Sequence, residues 1–362
     1  MVTKNYQKLL EHLLTLAVKQ RASDLHFSPG RGPVLRIGSK LVAIEGEKVL
    51  TSNDILELVE LLLSQGYSKD RFNKFLRELE IDFSYNLGKD GRFRGNAYFQ
   101  GGKVSCSLRF ISKKILNIDE LNLPPVLHSF AKANQGFVLI TGPSSHGKST
   151  TLAALIDEIN HTRSDHIITI EDPIEYIFED DLAIVDQREV FSDTLSFARA
   201  LRSTFRQDPD VIMVGEMRDP ETIAIALTAA ETGHLVFATL HTNSAAQTIH
   251  RIVDSFDGPR QRQIRAQLSG SLLGIISQRL IPGLKGGLVP AAEIIFNNPA
   301  IANLIRENKV HEIPVVVETS SEEGMISLDR SLAALVRDQD ISKEMALKFS
   351  LNPENLKNLL KK

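Results

Sequence analysis

A glycine-bounded segment that ends in a lysine and a serine is the first part of the chain that could do chemistry. An apolar run, Phe137 to Thr141, leads into it, and a helical pattern with an apolar face follows from Leu152 to Ile159. A strand, a glycine-rich loop and a helix in that order form the backbone cradle that binds phosphate groups. The predicted phosphate-binding residues are Gly142, Pro143, Ser144, Ser145, His146, Gly147, Lys148, Ser149 and Thr150.

Two side chains of this loop have distinct predicted roles. Lys148 would reach the β- and γ-phosphates of ATP, and Ser149 would ligate Mg²⁺. A turn that matches the pattern by chance is the alternative, but the strand and the helix on either side favour a phosphate loop. We therefore expect ATP and Mg²⁺ as ligands.

Hydrolysis of ATP needs an acidic group near the γ-phosphate, and an apolar strand followed by a carboxylate supplies one. The run Val211–Val214 is apolar throughout, and Gly215 and Glu216 follow it. Ligands of open α/β sheets lie at the carboxyl ends of the strands. We predict that Glu216 positions the attacking water and accepts its proton. A surface glutamate that follows a buried strand is the alternative.

Three carboxylates stand close together after the apolar run Ile168–Ile170. They are Glu171, Asp172 and Glu175, and Pro173 ends the strand among them. Mg²⁺ prefers oxygen donors, so we predict that Glu171 and Asp172 contact the metal, directly or through water, and that Glu175 belongs to the catalytic group. A solvated acidic turn is the alternative.

Two histidines bracket the apolar strand predicted at 235–240. His234 and His241 would lie about 23 Å apart on an extended strand, so we do not expect them to share a metal ion. We predict that His241, at the carboxyl end, senses the γ-phosphate, and that His234 contributes to nucleotide binding. Structural roles for both histidines are the alternative.

Arginine side chains commonly neutralise the charge that develops on a transferred phosphoryl group. Arg92, Arg94 and Arg109 lie in predicted strands, and Arg92 and Arg94 share one face of theirs because strand side chains alternate. We place these arginines across the nucleotide from the phosphate loop, since their own strands offer no obvious run of acidic partners. A salt-bridged sheet face is the alternative.

Composition excludes several classes of protein. The chain has 362 residues, of which 42% are hydrophobic and 24% charged, as is ordinary for a globular protein. Its formal net charge of −3 gives no reason to expect a nucleic-acid partner. One cysteine, Cys106, excludes an internal disulfide and a four-cysteine zinc site. No apolar run approaches about 18 residues and the first residues lack a signal-peptide core, so we expect a cytoplasmic location.

The pattern of elements divides the chain into four parts. Residues 1–112 predict a small α+β domain with an antiparallel meander, and 113–125 predict a stiff linker that contains two prolines. From 126 to 297, strands alternate with helices, which is typical of an α/β domain with a mostly parallel sheet. Residues 298–362 read as helical.

These motifs, in this order, resemble the secretion ATPase superfamily of type II secretion and type IV pili. The segment Ala22–His26 is similar to the opening of the family's N-terminal domain, and Gly91–Asn96 to its arginine-bearing hairpin. The segment Glu171–Glu175 resembles its acidic box, and Gly233–Thr242 its histidine box. The resemblance therefore covers nearly the whole chain.

The resemblance implies a PAS-like domain joined to a RecA-like phosphate-loop ATPase domain, assembled as a homohexameric ring in the cytoplasm. Nucleotide would bind between the two domains. The ring would dock on the inner-membrane platform protein of the pilus and use ATP hydrolysis to extract pilins. Members that drive pilus extension or type II secretion usually carry a four-cysteine zinc insertion. The single cysteine excludes it here, which favours the retraction branch that powers twitching motility.

Two places in the chain depart from the family pattern. Ser145 and His146 replace a Gly-Ser pair, and a β-carbon at 145 would penalise a left-handed backbone there. We therefore expect ATP to bind, with lower affinity or slower turnover. Ala302 replaces an arginine in a motif that the family links to retraction, which leaves its effect on coupling open. A weakly hydrolysing accessory ATPase that modulates a partner motor is the alternative, as is another secretion or DNA-processing ATPase.

Overall fold

The computed structural model of the chain describes residues 2–38, 40–64, 70–88, 91–111 and 114–361. The chain divides into two compact units. Unit 1 comprises Met1–Lys114, Pro173–Ile177 and Glu189–Asp193, and unit 2 comprises the remainder. The predicted domain boundary at 112 and the first linker residue, 113, lie outside the described residues, as does residue 362.

Unit 1 contains an antiparallel sheet of six described strands in the order β3-β2-β1-β6-β5-β4. The strands are β1 (Asp24–Phe27), β2 (Val34–Ile37), β3 (Lys40–Ala43), β4 (Glu80–Leu87), β5 (Gly91–Gln100) and β6 (Lys103–Ile111). Strands β4, β5 and β6 pair as the predicted meander. The described helices of this unit are α1 (Val2–Lys19), α2 (Ser52–Leu63) and α3 (Arg71–Glu78).

The core of unit 1 follows from the spacing of its apolar residues. Leu10, Leu13, Leu14 and Ala17 recur at helical spacing in α1, and all four are buried. Cys106 in β6 is also buried in this core, and burial raises the pKa of its thiol. Cys106 therefore packs as a small apolar side chain in this core.

Unit 2 is built on a mixed sheet of seven described strands in the order β13-β12-β7-β11-β10-β8-β9. The strands are β7 (Gly136–Thr141), β8 (His166–Glu171), β9 (Ile184–Glu189), β10 (Val211–Val214), β11 (Leu235–Leu240), β12 (Leu272–Pro282) and β13 (Leu288–Phe296). The pairs β12–β7, β7–β11, β11–β10 and β10–β8 are parallel, and β12 pairs with β13 antiparallel. The sheet is therefore mostly parallel, as predicted.

Helices connect these strands and continue to the end of the described chain. They are α4 (His128–Ala131), α5 (Lys148–Thr162), α6 (Phe197–Thr204), α7 (Pro220–Glu231), α8 (Ala245–Asp254), α9 (Gly258–Ser271), α10 (Pro299–Arg306), α11 (Ile313–Thr319), α12 (Leu328–Arg337), α13 (Lys343–Phe349) and α14 (Pro353–Leu359). None of the helices in the described part of the chain has the length and apolar character needed to cross a bilayer.

The sequence did not predict the elements between 243 and 296. Helix α9 ends at Ser271 and β12 begins at the next residue, Leu272, with no connecting turn; Gly270 and Gly274 flank the junction, and neither has a positive φ. A change of period without an intervening turn carries little local signal. The hairpin of β12 and β13 was therefore missed, although it forms one side of the unit 2 sheet.

Candidate nucleotide-binding site

Four parallel strands bring the predicted chemical groups to one edge of the unit 2 sheet. Thr141, the last residue of β7, pairs with Leu240, the last residue of β11. Strand β10 lies between β11 and β8 and runs in the same direction. The segments that follow these four strands therefore meet at the carboxyl edge, where ligands of such sheets bind.

The phosphate loop, defined as residues 142–147, joins β7 to α5 and has a left-handed backbone at three positions. The φ values are +144° at Gly142, +64° at Ser145 and +80° at Gly147. A β-carbon on Gly142 would lie 2.3 Å from the carbonyl oxygen of Gln278, so only glycine fits there. Ser145 thus carries a β-carbon in a backbone conformation that favours glycine. The sequence analysis predicted a conformational penalty if the backbone at 145 were left-handed, and it is.

Lys148, the first residue of α5, is directed back over the loop. Its Nζ donates hydrogen bonds to the carbonyl oxygens of Gly142 and Pro143, each at 2.8 Å, and the residue is only 7% exposed. A positive charge is thus held at the loop beside the N-terminus of a helix. Both features attract phosphate.

Glu216 and His241 lie close to Lys148, as the sequence predicted for residues at this edge. Nδ1 of His241 is 3.4 Å from Nζ of Lys148 and 3.4 Å from Oγ of Ser144. Nε2 of His241 is 3.3 Å from Oε1 of Glu216, whose Oε2 is 2.8 Å from a guanidinium nitrogen of Arg218. The side chains of Arg218 and His241 therefore hold the Glu216 carboxylate at the end of β10.

The pKa of Glu216 reflects opposing effects. Burial by itself would raise the pKa of the carboxyl group. The hydrogen bond and charge of Arg218, with further contributions from His241 and Lys148, outweigh burial and lower the pKa below its ordinary value. Glu216 is therefore ionised at neutral pH and able to accept hydrogen bonds from water.

Gly215 explains why no side chain stands between β10 and Glu216. A β-carbon at this position would lie 3.1 Å from the carbonyl oxygen of Ile170 and 3.3 Å from Cα of Glu171. An aspartate at this position would require the backbone of the neighbouring strand β8 to shift by a few tenths of an ångström. The first carboxylate after β10 is consequently Glu216.

The predicted metal-associated carboxylates follow β8, the neighbour of β10. Glu171 is buried and accepts hydrogen bonds from Oγ1 of Thr169 at 2.7 Å and from Nε2 of Gln187 at 3.2 Å. Asp172 follows it and is half-buried. Across the described ranges, no cluster of three or more histidine, cysteine, aspartate or glutamate side chains is arranged to hold a metal.

His234 lies at the opposite edge of the sheet. It precedes β11, and its carbonyl oxygen accepts a hydrogen bond from the N–H of Gly136, the first residue of β7. Its Nδ1 is 2.9 Å from the carbonyl oxygen of Ala229, at the end of α7. The structure therefore does not bring His234 to the phosphate loop of its own chain. Strand length separates the two histidines, as the sequence indicated.

The three predicted arginines belong to unit 1 and pair there with carboxylates. Arg109 on β6 contacts Asp24 on β1 at 3.1 Å, and Arg94 on β5 contacts Glu175 at 3.2 Å. Sequence reasoning missed these partners because they do not lie in the arginines' own strands. Within unit 1, the contacts of these arginines are therefore those of the alternative given from the sequence, a salt-bridged sheet face.

Arg92 is the most buried of the three and makes contacts of a different kind. Its Nη2 contacts Oε2 of Glu189 at 2.9 Å, and its Nε donates to the carbonyl oxygen of Ile174 at 2.9 Å. Glu189 also accepts from the N–H of Ile174, at 3.3 Å. Both backbone groups of Ile174 are therefore held by this pair, which fixes the segment that carries Glu175.

Gln278 is a site residue that the sequence analysis missed. It lies in β12, is 2% exposed, and accepts a hydrogen bond from Oγ1 of Thr151 in α5 at 2.7 Å. Its Nε2 donates to the carbonyl oxygen of His146 at 3.0 Å. The available signal was a polar run, Ser277–Arg279, inside an otherwise apolar strand.

The fold and this edge define a RecA-like phosphate-loop domain preceded by a small α+β domain. The family model described as type II/IV secretion system protein matches residues 89–311. The chain belongs to this family. It is 46% identical to the type IV pilus retraction ATPase PilT of Pseudomonas aeruginosa, over 96% of this chain and 99% of that protein.

Two further relatives agree with this assignment. A twitching motility protein of Neisseria gonorrhoeae is 48% identical over 78% of this chain and 76% of its own length. The crystal structure of the pilus retraction motor PilT with bound ADP superposes with a TM-score of 0.88. That structure is 42% identical to the chain and covers 96% of it, with 98% of the PilT chain matched.

The left-handed Ser145 yields a first prediction. A β-carbon in this conformation costs about 1–2 kcal/mol. We expect Ser145→Gly to have a higher free energy of unfolding than Ser145→Ala, by up to about 1 kcal/mol, because the folded loop already has a left-handed backbone at 145 and glycine removes the penalty. Urea denaturation of the full chain measures the difference. Ser145→Ala is the matched control, since it keeps the β-carbon. Equal stabilities of the glycine and alanine variants would contradict the strain argument.

The contrast between Arg92 and Arg94 yields a second prediction. Arg92→Ala leaves Glu189 buried without its closest cation, and we expect a loss of about 3–5 kcal/mol in unfolding free energy. Arg94 is 40% exposed, so Arg94→Ala should cost at most about 1 kcal/mol. Differential scanning calorimetry of the full chain compares the two. The prediction is wrong if both variants unfold at the same temperature.

Proposed function

We propose that this protein is a Mg²⁺-dependent ATPase that powers the retraction of type IV pili. The observation that carries the proposal is the meeting of Lys148, Glu216 and His241 at one sheet edge, beside the phosphate loop. The similarity to PilT over nearly the whole chain supports the particular motor activity. The name of the Neisseria gonorrhoeae relative supports a role in twitching motility.

The residues of unit 2 divide the work of hydrolysis. Backbone N–H groups of the phosphate loop and the N-terminus of α5 bind the phosphates, and Lys148 neutralises charge on the β- and γ-phosphates. Glu216, ionised at neutral pH, orients the attacking water and accepts its proton. His241 lies between Glu216 and Lys148. A γ-phosphate bound to Lys148 would therefore change the hydrogen bonding of His241, and through it that of the Glu216 carboxylate.

The donor set at this edge fits Mg²⁺. Ser149 offers a hydroxyl group in the first turn of α5, and Glu171 and Asp172 offer carboxylate oxygens after β8. Mg²⁺ usually binds through one or two protein carboxylates together with phosphates and water, and these side chains carry oxygen donors of that kind. The ion would supply charge neutralisation between the phosphates.

Assembly and partners form a further part of the proposal. We propose a homohexameric ring at the cytoplasmic face of the inner membrane, docked on the pilus platform protein, with no nucleic-acid partner. In this assembled ring we place the catalytic roles predicted for Arg92, Arg94, Arg109 and Glu175. The nucleotide-binding role predicted for His234 is placed there as well. The buried contacts of Arg92 favour Arg94 and Arg109 as the arginines that reach a phosphate.

A second candidate function follows from Ser145. A phosphate loop that carries a strained residue could turn over slowly, and the chain would then bind nucleotide as an accessory subunit of another pilus motor. Steady-state ATPase activity of the purified protein separates the candidates. Turnover comparable to that of other ring motors, measured without a partner, would exclude the accessory role.

The third prediction concerns Glu216. Glu216→Gln keeps the size of the side chain and removes its basicity, so kcat should fall by about 10²–10⁴-fold while ADP affinity stays within about twofold. A coupled ATPase assay and titration calorimetry measure the two effects. Glu231→Gln, at the exposed end of α7 near the opposite sheet edge, is the control and should keep full activity. Undiminished hydrolysis in the Glu216 variant would refute its role.

The cellular test uses the same pair of variants. Deletion of the gene should give cells with many surface pili and no twitching motility, because extension continues without retraction. The wild-type and Glu231→Gln proteins should restore motility, and Glu216→Gln should not. Normal motility of the deletion strain would refute the proposed function in the host.

A further inference from the structure

The side chain of His146 makes a contact that no family motif accounts for. Its Nδ1 lies 2.9 Å from the backbone nitrogen of Leu280 in β12. A backbone N–H can only donate, so Nδ1 accepts and the ring proton lies on Nε2. Because both ring nitrogens are donors in the cation, only the neutral ring can make this hydrogen bond.

This contact lies where the strand pairing ends. The last register pair between β12 and β7 is Ser277 with Thr141. Beyond it, Gln278 donates to the carbonyl oxygen of His146, and Leu280 donates to the ring of the same residue. The phosphate loop is therefore hydrogen-bonded to β12, as β7 is before it. The carbonyl oxygen and the ring Nδ1 of His146 are the two acceptors.

We propose that His146 is a positioning residue that holds the phosphate loop against β12 through its ring, and so keeps the left-handed turn at Ser145 in the shape that binds nucleotide. The inference rests on the proposed nucleotide site but not on pilus retraction. It also gives a reason for the pair of departures from the family pattern: the loop bears a penalty at 145 and an added bond at 146.

The surroundings of the ring keep it neutral. Burial, together with the positive charges of Arg279 in β12 and Lys148 in α5, lowers the pKa of His146 below its ordinary value. The hydrogen bond to Leu280 is therefore intact above the ordinary histidine pKa near 6.5. It is lost as the pH falls through the lowered value, because protonation of Nδ1 removes the acceptor.

A comparison of the wild-type protein with His146→Asn and His146→Ala tests the role of His146. Asparagine places an amide oxygen where histidine has Nδ1 and does not titrate, whereas alanine removes the acceptor. We expect His146→Ala to weaken ADP binding and raise the KM for ATP by about two- to tenfold at neutral pH, with a smaller effect on kcat. We expect His146→Asn to retain wild-type affinity.

The pH profile separates positioning from a general loss of structure. The wild-type KM should rise more steeply on the acid side than the KM of His146→Asn, whose remaining pH dependence comes from the nucleotide phosphates and the other titratable groups of the site. The inference is overturned if His146→Asn binds ADP as weakly as His146→Ala, if His146→Ala binds as tightly as wild type, or if wild type and His146→Asn have the same acid limb.

A spectroscopic measurement on the wild-type protein needs no variant. The ¹⁵N shifts of the His146 ring should report an unprotonated Nδ1 and a protonated Nε2 at neutral pH. A protonated Nδ1 would overturn the inference even if both variants failed to fold. Absence of ADP binding by the wild-type protein at millimolar concentration would instead refute the nucleotide site, which keeps the two failures distinct.

Discussion

The parallel pairing of β7, β11, β10 and β8 is the constraint on which the site depends. Strands that run in one direction present all their carboxyl ends at one edge, so loops from distant parts of the sequence meet there. The pairing needs strands that can be covered on both faces, and the apolar run Val211–Val214 meets that need. Lys148, Glu216 and His241 come together because their strands are neighbours.

Strand β12 adds a second constraint, which is the close approach of its backbone to the phosphate loop. The carbonyl oxygen of Gln278 excludes any side chain at 142, and its amide fills the space where a β-carbon on Gly147 would lie. A buried polar side chain needs hydrogen-bond partners. Gln278 accepts a hydrogen bond from Thr151 and donates one to His146, which together satisfy its amide and shape the loop. The conformation of the phosphate loop thus depends on contacts with β12 as well as on the loop's own glycines.

In unit 1 the buried charge pair has an organising role. Arg92 and Glu189 are both almost fully removed from water, and such a pair adds little stability by itself unless its remaining hydrogen bonds are made. Here they are made with the backbone of Ile174, next to Glu175. The arginine-bearing hairpin and part of the acidic box, which are far apart in the sequence, therefore form one structural element.

Local chemistry in the sequence determined much of this protein. The spacing of Gly142, Gly147, Lys148 and Ser149 after an apolar strand predicted the phosphate loop, because backbone conformation and helix dipoles depend on neighbouring residues. Short strand patterns separated by glycines predicted the meander of unit 1, and continuous apolar runs predicted most strands of unit 2. The need for a left-handed backbone at Ser145 was also stated from the sequence as a condition, and the structure meets it.

Only the tertiary structure decided which groups lie together across long separations. The ring of His146 and the N–H of Leu280 are 134 residues apart, and Arg92 and Glu189 are 97 apart. Such contacts are set by sheet order and by the register of β12, which no local period encodes. The position of His234, by contrast, follows from the sequence itself, because a histidine before a strand lies at the opposite edge from one after it.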